Sequence, residues 1–145
     1  MNIFFYGLFM DESLLVEKGM SPGSVAVGHV DGFALRIGER ATLLHSAGAR
    51  AYGVMMDISY DAVRELYAES GVADYEPEPV TVKLADGSEV EAVCYNLPEE
   101  KITGTNKDYA ASLMELAARL GFPESYLDEI RQATQPPAGR LPVRF

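Results

Sequence analysis

The run Ile3-Phe4-Phe5-Tyr6-Gly7-Leu8-Phe9-Met10 decides the reading of this chain. It is an apolar run and reads as a buried strand. It breaks on Gly7, and Asp11-Glu12-Ser13 then opens a short helix-like segment. A buried strand entering a glycine turn leaves backbone N–H groups at the sheet end, where they can hold a carboxylate or an oxyanion.

Working outward, strand-like segments dominate the first two-thirds. Residues 24–30 and 32–37 show apolar alternation, interrupted by Gly28 and Gly32, with Gly38 beyond. Glycines inside strands mark bulges or bends, and repeated bends suit a strongly curled sheet or barrel. Further strands are expected at 41–44 and 51–58. A hairpin follows, with arms at 80–84 and 89–97 around Ala85-Asp86-Gly87-Ser88, because Asp-Gly fits the tight turns that join antiparallel strands.

Helical spacing appears later. Ala62, Val63, Leu66 and Tyr67 share one face of a helix expected from Tyr60 to about Glu69, with Ser59 as N-cap. A second helix begins after Gly104-Thr105-Asn106, where Thr105 and Asp108 make a capping-box-like pair. Tyr109, Leu113, Leu116, Ala117 and Leu120 form its stripe, Gly121 ends it, and Pro123 opens a last helix. Strands followed by helices predict an α+β fold with a curled, mixed or antiparallel sheet; a doubly wound fold would alternate them. One domain is expected over 1–134, with 135–145 as an extended C-terminal tail because Gln135-Pro136-Pro137-Ala138-Gly139 favours nothing regular.

Bulk composition narrows the function classes. At 145 residues the chain buries roughly 68–70% of its unfolded surface, enough for a true core. Hydrophobic content of 48% and charged content of 23% are those of a globular protein. A formal charge of −10 argues against a nucleic-acid partner, which requires a basic stripe. No apolar run approaches the roughly 18–20 residues that span a bilayer, so no membrane partner is expected. With no basic residue before the first apolar strand, no signal peptide is read and a cytoplasmic location is expected. Cys94 is the single cysteine and sits in an apolar strand, which predicts inert core. His29 and His45 lack the spacing of a metal site, so no metal is assigned.

Four segments, in chain order, carry a resemblance. They are Tyr6-Gly7-Leu8-Phe9-Met10; Ala51-Tyr52-Gly53-Val54-Met55-Met56; Leu66-Tyr67-Ala68-Glu69 followed by Tyr75-x-x-x-x-Val80-x-Val82; and Thr105-Asn106-Lys107-Asp108-Tyr109 running to Gly121-Phe122-Pro123-Glu124-Ser125-Tyr126-Leu127. Together they resemble the gamma-glutamylcyclotransferase-like superfamily. The resemblance implies a small, bent, mixed β-barrel with flanking helices, and a cavity lined by the Tyr-Gly loop and an acidic residue. It also implies conversion of a γ-glutamyl amine or dipeptide to 5-oxoproline, with one glutamate as general base and then acid, and no cofactor.

That chemistry needs a carboxylate within hydrogen-bond reach of the substrate's α-ammonium. An unperturbed glutamate pKa near 4.3 is about three units too low, so a partly desolvated pocket would have to raise it. Counting forward from Leu66, the family's base position falls on Ser70; counting back from Tyr75, it falls on Glu69. Projected on a helix at roughly 100° per residue, Glu69 lies at the border of the apolar face, and it is the expected catalytic residue. Tyr6, Gly7, Leu8, Phe9, Met10, Tyr75 and Tyr109 are the expected substrate-binding residues. Two departures stand against turnover. Leu8 and Phe9 replace polar residues that many members carry, and Pro77 and Pro79 stand where an arginine is often found. A non-catalytic small-molecule binder on the same fold is therefore the alternative to an enzyme. Arg36, Arg40 and Arg50 are candidates to guide an anionic substrate, and nothing in the sequence chooses among them.

Overall fold

The computed structural model describes residues 1–69 and 71–134; the tail expected at 135–145 lies outside the described residues. Strands β1 (Asn2–Phe5), β2 (Gly23–Ile37), β3 (Ala41–Asp57), β4 (Glu76–Leu84) and β5 (Glu89–Asn96) form a closed barrel in the order β1-β3-β2-β4-β5. Helix α1 (Glu12–Glu17) follows β1, α2 (Tyr60–Leu66) joins β3 to β4, and α3 (Lys107–Arg119) and α4 (Glu124–Gln132) close the described chain. The fold is thus α+β, a small bent mixed barrel with flanking helices. No helix among the described residues is long and apolar enough to cross a membrane.

Strand β1 explains its own composition. It pairs antiparallel with β3, Phe5 opposite Val54, and parallel with β5, Ile3 opposite Val93. Ile3, Phe4 and Phe5 are almost fully buried, as a closing strand without a solvent face requires. The strand is shorter than the apolar run: it ends at Phe5, and Leu8–Met10 is a tight 3₁₀ turn leading to α1, which Asp11 caps through the Ser13 N–H at 3.0 Å.

The segments expected as separate strands at 24–30 and 32–37 are continuous in β2, and those at 41–44 and 51–58 are continuous in β3. A register shift carries them past the interruption: Asp31 faces Arg50 but Phe33 faces His45, so β3 makes its excursion opposite Gly32. The Asp-Gly hairpin joins β4 and β5 as expected. Pro77 and Pro79 lie in β4, which meets β2 only at Leu84 and Lys83 and is open toward it elsewhere, the edge position that a strand proline demands.

Two helix ends differ from the sequence reading. Ser59 does cap α2, accepting the Ala62 N–H at 3.2 Å, but the helix stops at Leu66 rather than near Glu69. The cap of α3 is Asn106, one residue beyond the expected Thr105. Its Oδ1 accepts the Tyr109 N–H at 2.9 Å while its Nδ2 donates to the Glu39 carbonyl at 3.1 Å. That second bond is the reason for the shift, since only the longer amide satisfies the helix end and the β2–β3 turn together. Leu113, Leu116 and Ala117 turn inward on α3, and the α4 end is tied to the barrel by the Ile37 N–H donating to the Ala133 carbonyl at 3.1 Å. Cys94 is fully buried, and burial pushes its thiol pKa up, so it packs as core.

Asn106→Ala removes both bonds and should cost about 1–2 kcal/mol in urea-melt stability, whereas Thr105→Ala should be nearly neutral. The reverse ranking would return the cap to Thr105.

Candidate functional site

The turn that ends β1 is the floor of a cavity of about 180 Å³. Four separate parts of the chain wall it. Phe5, Tyr6, Gly7, Leu8 and Phe9 come from β1 and the turn after it, and Leu14 from α1; Arg40 and Ala41 come from the β2–β3 turn. Tyr67, Val72 and Tyr75 come from the connection between α2 and β4, and Tyr109 from the first turn of α3.

Tyrosines set its chemistry. The Tyr6 hydroxyl donates to the Tyr95 carbonyl at 2.7 Å, and the Tyr75 hydroxyl donates to the Ala41 carbonyl. The Tyr109 hydroxyl accepts the Leu8 N–H at 3.2 Å. Tyr67 stacks flat on Tyr95, with ring centroids 4.0 Å apart and planes 9° apart, and meets Phe9 edge-on. Desolvation raises the pKa of the Tyr6, Tyr67, Tyr75 and Tyr109 phenols, and the nearby Arg40 charge offsets only part of this at Tyr75 and Tyr109. All four stay neutral donors at physiological pH.

Gly7 is required by the same arrangement. A Cβ there would stand 2.5 Å from the Tyr109 hydroxyl oxygen, closer than any side-chain carbon can approach.

The structure brings six of the expected binding residues, Tyr6, Gly7, Leu8, Phe9, Tyr75 and Tyr109, to one cavity. Met10 is not among its walls. It closes the 3₁₀ turn facing inward and is buried in the core. Glu69 is not a wall either. Its side chain is 45% exposed and ion-paired to Lys18, with Nζ 2.8 Å from Oε1 and 3.1 Å from Oε2. The cause is the early end of α2. With Leu66 the last helical residue, Glu69 lies in the following turn, its carbonyl accepting the Val72 N–H at 3.2 Å, and a helical projection no longer describes where it points.

Among the three candidate arginines the structure separates roles. Arg50 is engaged by Asp31 at 2.7 Å, Arg36 lies along β2 opposite Thr42, and Arg40 alone lines the cavity. Sequence reasoning missed Tyr67 as a wall, although it sat in plain view on the apolar face of the helix expected from Tyr60 to about Glu69.

What can these groups do? Neither a carboxylate nor an imidazole is among the described residues lining the cavity. The phenols are held protonated and the guanidinium is a cation, so none of these side chains accepts a proton near neutrality. The Leu8 N–H, one expected oxyanion donor, is already taken by Tyr109.

Residues 50–130, over half the chain, match the AIG2-like family. Among solved structures, a gamma-glutamyl cyclotransferase superposes with a TM-score of 0.72 at 19% identity, over 99% of this chain and 92% of that one. An uncharacterized protein from Homo sapiens gives 0.71 at 21%, over 94% and 89%. YkqA from Bacillus subtilis gives 0.72 at 21%, over 92% of this chain but 54% of that one, so the chain spans about half its length. Identities this low speak for the fold alone. No curated protein matches the chain.

Gly7→Ala should cost about 1–3 kcal/mol in stability, and about 1 kcal/mol less in a Tyr109→Phe background, because the second change removes the oxygen that the new methyl meets. Equal costs in both backgrounds would contradict the contact. The raised phenols also fix the sign of a pH effect. Their stabilisation is complete below the unfolded tyrosine value of about 10 and is lost as pH climbs toward the folded values. Denaturant melts should therefore show this contribution falling only above about pH 10, together with delayed phenolate absorbance at 295 nm; tyrosines ionising together near pH 10 in the folded protein would contradict it.

Proposed function

The chain belongs to the AIG2-like family, and from that membership we propose that it binds a small molecule in the aromatic cavity at the barrel mouth without turning it over by γ-glutamyl cyclisation. The observation that carries this reading is the missing proton acceptor among the described lining residues. Cyclisation requires the ligand's α-ammonium to lose a proton to a group within hydrogen-bond reach before its nitrogen can attack the γ-carbonyl. Neutral phenols with raised pKa values and a guanidinium do not supply that group.

Size supports a small ligand body. At about 180 Å³ the cavity is close to the roughly 150 Å³ hole that admits benzene. γ-Glutamyl compounds are the first class to test, since a gamma-glutamyl cyclotransferase shares the fold.

A second reading rests on a specific observation. Glu69 sits between Tyr67 and Val72, both cavity walls, and an exposed ion pair such as that with Lys18 holds by only about 0–1 kcal/mol. Once released, its carboxylate belongs to the same connection as those two walls, and it would serve as base and then acid in 5-oxoproline formation.

Incubation with a panel of γ-glutamyl compounds, followed by a 5-oxoproline assay and thermal-shift measurement, separates the two. The binding reading expects compounds that raise the Tm and are recovered intact. Release of 5-oxoproline that stops in Glu69→Gln would replace it with the catalytic one.

A further inference from the structure

We infer that Arg40 receives the carboxylate of an anionic ligand whose apolar body fills the aromatic cavity. This rests on the binding reading above and names the ligand class for the same site.

Position comes first. Arg40 and Tyr75 line the cavity and also an adjoining groove of about 270 Å³, so the guanidinium stands where the two meet. Second, Arg40 makes no ion pair among the described residues, whereas the groove's other cation, Lys101, is held 3.6 Å from Asp74. Arg40 is exposed and open to an incoming anion, for which a guanidinium is a two-pronged partner.

Third, the guanidinium has a seat. It rests on the backbone of Gly71, where a Cβ would come within 2.7 Å of Nη2 and 3.1 Å of Nε. Gly71 has φ +94°, so the turn after α2 both adopts a glycine conformation and leaves the space that the guanidinium fills. Pre-placement of this kind lowers the ordering cost of a two-pronged Arg–carboxylate contact.

The charge of the groove selects the type of anion. Glu39 and Asp74 stand in its wall, so a singly charged carboxylate is balanced by Arg40 alone, while a phosphate dianion carries a second charge toward two carboxylates.

The test uses three probes that share a phenyl ring: 3-phenylpropionate, its neutral amide, and phenyl phosphate. Calorimetric titration at low salt is run on the wild-type chain, Arg40→Gln and Gly71→Ala, each checked for folding by circular dichroism. The expected result is carboxylate binding at least roughly tenfold tighter than amide, a preference erased in Arg40→Gln with amide binding retained, and reduced in Gly71→Ala. Equal binding of carboxylate and amide, or a preference that survives Arg40→Gln, would overturn the role of Arg40 and leave the cavity reading standing. Tighter binding of phenyl phosphate would overturn the choice of a carboxylate. Binding of none of the three would overturn the apolar-body assignment, and the inference with it.

Discussion

A phenol hydroxyl resting on a glycine holds this cavity together. Tyr109, at the start of α3, meets the chain at Gly7 and accepts the N–H of Leu8, joining positions 101 residues apart. One turn earlier, Asn106 fastens the same helix to the β2–β3 turn through the Glu39 carbonyl. Helix α3 therefore acts as a clasp over the open end of the barrel. It is the contact, and not any single wall, that makes four distant segments into one site. The clasp also consumes a backbone donor, which bears on function: a loop N–H held by a protein hydroxyl is not free to stabilise an oxyanion.

The barrel dictates where that clasp can form. Strand β1 is flanked by β3 and β5 and has no solvent face, so its apolar residues continue to Phe5 and the chain must leave the sheet there. Leaving at Gly7 keeps the turn close to the backbone of its surroundings, and the hollow above it is walled by whatever the neighbouring turns supply. Those turns supply rings and one guanidinium. Burial then keeps the rings neutral, so the hollow is apolar with one cation at its edge. The acid expected at the site, Glu69, is paired with Lys18 outside the walls.

Much of this was legible in the residues. The unbroken apolar run at Ile3 to Phe5 announces a buried strand, Asp86-Gly87 announces the hairpin, and the ordered motifs announce the barrel that the similar solved structures share. The Tyr-Gly turn was readable as a wall for the same reason, since a strand must end there. What stayed hidden depended on where elements stop. Periodicity gives the buried face of α2 but not its last residue, and ending at Leu66 moved Glu69 off the expected projection while leaving Tyr67 on the cavity. Arg40 was one of three equivalent arginines until the β2–β3 turn placed it, because its role comes from the α2–β4 connection packing against that turn. Met10 reads as part of a loop motif, yet the 3₁₀ turn points it to the core.

The central claim is that small molecules enter the ring-lined hollow under Tyr109, and ring-carbon NMR of tyrosine-labelled protein during ligand titration tests it most directly. Tyr67, Tyr75 and Tyr109 should shift together and saturate with one affinity, while the exposed Tyr60 stays fixed. Saturable shifts confined to Tyr60, or to Tyr52 and Tyr126 in the cluster packed with Phe122, would contradict it.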